Sequence, residues 1–299
     1  MYHGVINVYK EAGFTSHDVV ARLRGICKQK KIGHTGTLDP DAVGVLPVCL
    51  GNATRLCDML TDRTKEYVAS FRLGIVTDTQ DLSGMVLESH TPDRDPQSVR
   101  QAVSSFVGDQ LQIPPMYSAL KVDGKRLYEL AREGKTVERK ARQITIYELE
   151  LLKEEHPDYT MRVCCSKGTY IRTLCHDIGQ KLGCGGVMTH LLRSRVGEFR
   201  AEDAYRLSEI QSFAEAGRLQ EILVPTENMF SQFMTLKVKD SGLKALQNGN
   251  KLFSSQVVWE KEPAEGQELR VYGKDGQFFG IYRYDAEEKL FCPVKMFFE

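Results

Sequence analysis

Apolar positions along the chain switch between a period of two and a period near 3.6, and the switches mark alternating strands and helices. Val5, Ile6 and Val8 predict an opening strand, and Ser16 is placed to cap a helix with Val19, Val20, Leu23, Ile26 and Cys27 on one face. A short helix follows with Ala53, Leu56, Cys57 and Leu60, and then Tyr67, Ala69, Phe71 and Leu73 alternate as a strand does. Asp95-Pro96 opens a helix through Val99, Val103 and Phe106 that Gly108 ends. The runs 144–152 and 159–165 predict paired strands, and Ile171, Leu174, Cys175, Ile178 and Leu182 make a helical face stopped at Gly183. No repeat or low-complexity tract interrupts the series.

Hairpins and single helices join these strands without a regular βαβ rhythm. That predicts an α+β fold with a mixed, largely antiparallel sheet flanked by helices. The character changes near Phe233, which divides the chain into 1–232 and 235–299. The second part holds a short helix with Leu243 and Leu246, an Asn248-Gly249 turn and strand-like segments, with Lys274-Asp275-Gly276 as a hairpin signal.

Composition adds limits. No apolar run approaches the roughly 20 residues that span a bilayer. The start, MYHGVINVYKEAG, lacks a signal-peptide pattern, so the cytoplasm is the expected location. The cysteines show no C-x-x-C spacing and mostly sit in apolar periodic segments. They read as reduced buried thiols, and no structural metal is expected. Formal net charge is zero. The distribution is uneven, with Arg22, Arg24, Lys28, Lys30 and Lys31 in one cluster and Lys167, Arg172, Lys181, Arg193, Arg195 and Arg200 in another. Acids gather elsewhere, as at Glu260, Glu262, Glu265 and Glu268. The clusters read either as one face that tracks phosphates or as solvated helix faces.

The densest chemistry lies in Gly33-His34-Thr35-Gly36-Thr37-Leu38-Asp39-Pro40, followed by Asp41-Ala42-Val43-Gly44-Val45-Leu46-Pro47. Glycines permit backbone angles closed to other residues, and Pro40 biases Asp39 away from helix. An Asp-Pro pair by itself starts turns. The whole run, however, resembles the catalytic loop of the TruB-type tRNA pseudouridine synthases, nearly residue for residue. Three further stretches extend the likeness: Lys65-Glu66-Tyr67; Ser166-Lys167-Gly168-Thr169-Tyr170-Ile171-Arg172; and Pro114-Pro115-Met116-Tyr117-Ser118-Ala119-Leu120-Lys121 with Gly124-Lys125-Arg126-Leu127-Tyr128. The turn Val122-Asp123-Gly124 is also plain hairpin chemistry.

The resemblance implies roles. Asp39 corresponds to the catalytic carboxylate, Arg172 to the arginine that pairs with it, and Tyr67 to the ring that stacks on the target uracil. Lys65 is the basic residue of the element that contains Tyr67. Leu191 or Leu192 corresponds to pocket wall, and His34 to a histidine that fills space left by flipped bases. Asp78 and Asp81 match a stretch near the site and stay outside the catalytic set. Tyr67 also reads as an ordinary core strand aromatic, and His34 as a loop histidine bonding backbone. The implied substrate is uridine 55 in the T-loop of tRNA, handled by a monomer without metal or cofactor. The implied fold is the pseudouridine synthase core with a small PUA-like β-barrel at 235–299; the tail also reads as a β-extension packed on the core. Two other functions remain open: a guide-RNA-dependent synthase, and an RNA-binding or chaperone protein that retains the fold. Attack at C1′, addition to C6 and proton removal at C2′ are equally compatible with Asp39.

Overall fold

The computed structural model describes residues 1–299 except 93, 94, 123 and 299. Asp123, in the middle of the expected 122–124 turn, lies outside the described residues; the flanking pairs Lys121–Val122 and Lys125–Arg126 are antiparallel partners.

A large mixed sheet carries the first part of the chain. Its strands are β1 (Gly4–Lys10), β2 (Ile32–His34), β3 (Val43–Leu50), β4 (Lys65–Leu73), β5 (Gly108–Gln112), β6 (Arg142–Glu155), β7 (Asp158–Cys165) and β8 (Gly186–Val196). The spatial order is β1-β3-β8-β4-β7-β6-β5, with β2 added on β3. Every neighbouring pair is antiparallel except β3 with β8. The alternating segment 67–73 lies at the centre, between β8 and β7, which explains its buried inward positions.

Helix α1 (Ser16–Cys27) and the helix Leu207–Glu215 cover the β1–β3 half, over Ile6, Val8, Leu46, Val48 and Leu50. Helices α2 (Pro96–Ser104) and α3 (Ile171–Lys181) cover the other half, over Phe71, Met161 and Val163. Two local expectations need correction. Thr15, not Ser16, caps α1, in a capping box with Asp18. Helix α2 stops at Ser104, so Gly108 opens β5 instead of ending a helix.

A fault crosses the sheet beside β3. One edge of β3 pairs along its whole length with β1. On the other edge β8 pairs only at Val43 and Gly44, and β2 only from Val48 to Leu50. Gly44 makes this crossing possible: its φ is +108°, and a Cβ there would lie 2.3 Å from the Arg193 carbonyl oxygen. Between the two short ladders no strand among the described residues covers this edge of Val45–Pro47. The Arg193 Nε donates to the Val45 carbonyl at 2.7 Å, and the Thr35 amide donates to the Pro47 carbonyl at 3.2 Å.

The last part of the chain forms a six-stranded, nearly closed barrel-like sheet with the helix Asp240–Gln247. The Lys274-Asp275-Gly276 turn joins Glu268–Tyr272 to Phe278–Asp285, as its sequence predicts. The barrel has its own apolar centre, but Ile281 and Phe297 also enter a cluster with Val5, Val45, Leu56 and Phe230.

Candidate active site

The loop from Thr35 to Ala42 leaves the sheet at the fault and is gripped from several sides. Lys10, the last residue of β1, is fully buried, and its Nζ donates to the carbonyls of Pro40 at 2.9 Å and Ala42 at 2.5 Å. Burial lowers the Lys10 ammonium to about 8, while Asp39 and Asp41 act to raise it. The Ser16 Oγ accepts from the Leu38 amide at 2.9 Å, so this serine serves the loop and not the helix end. The Thr61 Oγ1 donates to the Thr35 carbonyl at 2.9 Å. The Arg193 Nη2 and Nη1 donate to the Gly36 and Thr37 carbonyls at 3.3 and 3.4 Å.

Asp39 projects from this loop onto Arg172, the second residue of α3. Arg172 reaches it with two nitrogens, Nε to Oδ2 at 3.0 Å and Nη2 to Oδ1 at 3.2 Å. Such a fork fixes orientation as well as charge. The same guanidinium donates to the Thr79 carbonyl at 3.1 Å, the Tyr117 carbonyl at 2.9 Å and Asp81 at 3.3 Å. Asp81 is held in turn by Thr79 and Ser83. The Arg172 side chain is 6% exposed and that of Asp39 is 40% exposed, so the carboxylate faces the opening and the guanidinium stands behind it. Desolvation pushes the Asp39 carboxyl above its ordinary value; Arg172 and Lys10 oppose the rise and Asp81 adds to it. The start of α3 is anchored by Gln112, whose side-chain amide accepts from the Tyr170 amide at 2.8 Å and donates to the Tyr170 carbonyl at 3.0 Å.

Tyr67, Leu191, Leu38 and Ile171 share one apolar cluster next to the loop. Tyr67 is 8% exposed and opposes Arg193 in the β4–β8 ladder. Burial raises its hydroxyl's pKa, so it stays a neutral phenol. Leu192 points the other way, against Gly44. His34 ends β2; its Nδ1 accepts from the Gly36 amide at 3.3 Å and its ring meets His17 edge-on at 5.3 Å. Burial, His17 and Arg193 lower it to about 4, so the ring is neutral near pH 7. Lys65 stands apart from these groups. Its ammonium is buried on the carbonyls of Thr61 and Arg63, and burial lowers it to about 8.

Sequence reasoning missed Lys10, Ser16, Gln112 and Arg193 as parts of this site. A signal existed for two of them. Lys10 continues the inward phase of Ile6 and Val8, and Arg193 that of Leu191. The basic clusters also need correction, because Arg172 and Arg193 are buried and unavailable to phosphates. Lys167, Arg195 and Arg200 are paired with Asp62, Glu66 and Glu202. Arg22, Arg24, Lys28, Lys30 and Lys31 are exposed. Among the described residues no three His, Cys, Asp or Glu side chains converge to hold a metal, and no helix is long and apolar enough to cross a membrane.

Two family models cover this machinery apart from Lys10 and Ser16. The TruB family pseudouridylate synthase N-terminal domain matches residues 24–171, and the tRNA pseudouridylate synthase B C-terminal domain matches residues 172–231. The chain belongs to the TruB family. Among similar TruB proteins, "tRNA pseudouridine synthase B" of Lachnoclostridium phytofermentans is 50% identical, with 99% of each chain covered. The protein of the same name from Alkaliphilus oremlandii is 43% identical, again over 99% of each. A chain from the crystal structure of a Cbf5-Nop10-Gar1 complex superposes with a TM-score of 0.74 at 29% identity, covering 99% of this chain and 85% of that one. A chain from the structure of an H/ACA RNP bound to a substrate RNA containing 2'-deoxyuridine gives 0.73 at 27% identity, covering 99% and 86%. The TruB N-terminal match contains Asp39, Tyr67 and Lys65, and ends one residue before Arg172.

Proposed function

We propose that this protein isomerises uridine to pseudouridine in the T-loop of tRNA, at position 55, with Asp39 as the reacting carboxylate. The observation that carries the reading is the two-pronged Arg172–Asp39 pair, with the acid toward the opening and the cation buried behind it. Full-length relatives named tRNA pseudouridine synthase B support the choice of substrate.

The reaction breaks the N1–C1′ bond of uridine, rotates the uracil and forms a C5–C1′ bond, with the C5 proton leaving and N1 gaining one. It consumes no oxidant, reductant or group donor. Attack at C1′, addition to C6 and proton removal at C2′ all begin from an ionised carboxylate, which the guanidinium favours against the desolvation around it. A base paired or stacked in RNA must first be extruded. Tyr67 is then the face on which the uracil lies and Leu191 the wall that retains it while it turns. A neutral His34 suits the space a flipped base vacates, because an uncharged ring stacks on bases without a desolvation cost. Lys65 acts through the turn it holds at 61–63. The barrel grips RNA away from the target, and the protein works as a monomer in the cytoplasm.

The test is the purified protein on an unmodified tRNA transcript, with chelator and no guide RNA, followed by mapping of pseudouridine. Modification at position 55 alone is the expected result. No product without an added guide would favour a guide-dependent synthase, and binding without product would favour an RNA-binding protein that retains the fold.

A further inference from the structure

We infer that Arg193 is a positioning residue for the reaction, holding the Asp39 loop and the Tyr67 ring at fixed spacing across the fault in the sheet. The inference rests on the reading of Asp39 as the reacting carboxylate.

Arg193 is 2% exposed, one of the largest fully buried side chains in the protein. A buried cation usually faces a carboxylate. Among the described residues Arg193 has no such ion pair. Its hydrogen bonds go to three backbone carbonyls, Val45 on β3 and Gly36 and Thr37 in the loop, and its side chain also meets the Tyr67 hydroxyl. Those carbonyls lie on the two sides of the gap where β8 and β2 both leave the edge of β3. Among the described residues no strand supplies donors there, and an arginine supplies five from one rigid plane. A lysine ammonium offers three from one point and cannot span the gap.

The grip has a counterpart. Lys10 comes from β1, on the opposite edge of β3, and holds Pro40 and Ala42. Arg193 holds Gly36 and Thr37. Asp39 thus lies between two anchored pairs of peptides, one before it and one after. On the other side of β8, Tyr67 is the direct ladder partner of Arg193. One side chain therefore sets the loop against the strand that carries the ring. A misplacement of a reacting group by about 1 Å costs on the order of 100-fold in rate. That is the scale of error a loosened loop would bring.

The experiment compares wild type with Arg193→Lys and Arg193→Gln on unmodified tRNA, and measures turnover, tRNA affinity, thermal midpoint and amide hydrogen exchange. Wild type is assayed first, so that an inactive wild type counts against the proposed function alone; the exchange measurement still tests the grip. Both variants are expected to lose about 100-fold in kcat. Affinity for tRNA should stay within about threefold, since uniform binding is untouched. Exchange should accelerate over residues 35–45 and not in the C-terminal barrel. Wild-type kcat in Arg193→Lys overturns the proposal. So does a lower thermal midpoint with faster exchange throughout, or failure of both variants to fold, because Arg193 would then serve the sheet as a whole and not the loop.

Discussion

The Asp39 carboxylate is the exposed member of its pair and Arg172 the buried one, which separates what each contributes. Asn at position 39 keeps the shape and loses both nucleophile and base. Asp39→Asn is therefore expected to bind tRNA as wild type does and to form no pseudouridine; turnover within about tenfold of wild type would remove Asp39 from its role. Arg172 acts on ionisation. The active form is the carboxylate, so activity is full above the Asp39 pKa and falls as pH drops through it. Desolvation already raises that pKa, and Arg172 is the first influence opposing the rise. Arg172→Gln removes the larger of the two opposing charges and leaves only Lys10 against desolvation. The acid limb of the pH–rate profile should move to higher pH, because a guanidinium beside a carboxylate favours its ionised form. An acid limb that stays in place, measured with saturating tRNA, would show that the pair does not govern ionisation. Asp39, Tyr67 and Arg172 were legible in the sequence because each belongs to a contiguous run of distinctive residues. Ser16 and Arg193 were not. A serine beside a helix start reads as a cap, and an arginine in a basic stretch reads as a phosphate contact, until folding brings the loop's backbone to them.

Among the elements, strands with regular alternation were readable, and the paired segments 142–155 and 158–165 extend the expected 144–152 and 159–165. Strand β8 went unread, although it joins the two halves of the sheet. Its inward phase includes Arg193, and register shifts at 188–190 and 193–195 break the alternation a strand signal needs. The parallel β3–β8 pairing was likewise invisible, since two residue pairs leave no pattern. Gly44 was conspicuous only as part of the loop motif, but its physical task is the crossing. Alanine there would take a left-handed φ of +108° and place a methyl 2.3 Å from the Arg193 carbonyl oxygen, a backbone atom with little freedom to move. Gly44→Ala should cost at least about 2 kcal/mol of stability, the range for a strained backbone position combined with a backbone clash. It should also lower turnover, because the same shift would drag the Arg193 grip off Gly36 and Thr37. Unchanged denaturant midpoint and turnover would mean that the fault in the sheet yields without consequence.

At the scale of the whole molecule, the change of character near Phe233 suggested a core and a separable tail; the second sheet begins at Met234. What composition could not reveal is the surface between them. Phe230 stacks on Phe233 and packs on Phe278 and Phe297, while Ile281 and Phe297 share a cluster with Val5, Val45 and Leu56 from the core. The Asn52 side-chain amide donates to the Phe297 carbonyl, and Arg55 reaches the Met296 carbonyl at 2.7 Å, tying the end of the chain to the segment after β3. Removing residues 235–299 would therefore strip cover from an apolar patch as well as remove a barrel. Each large aromatic returned to water costs about 1.5–3 kcal/mol, and Phe230 stays behind in the shortened chain without its partner rings Phe278 and Phe297. The shortened chain is expected to bind a hydrophobic dye, to melt well below wild type and to be recovered largely as aggregate. Asp39, Tyr67, Arg172 and His34 all remain in it, so whatever fraction stays folded should keep turnover at saturating substrate while losing affinity for full-length tRNA more than for an isolated T-arm hairpin. A soluble monomeric core with the wild-type thermal midpoint would show that the shared aromatic cluster contributes nothing to the core. Equal affinity of that core and of wild type for both RNAs would show that the barrel is not a tRNA grip.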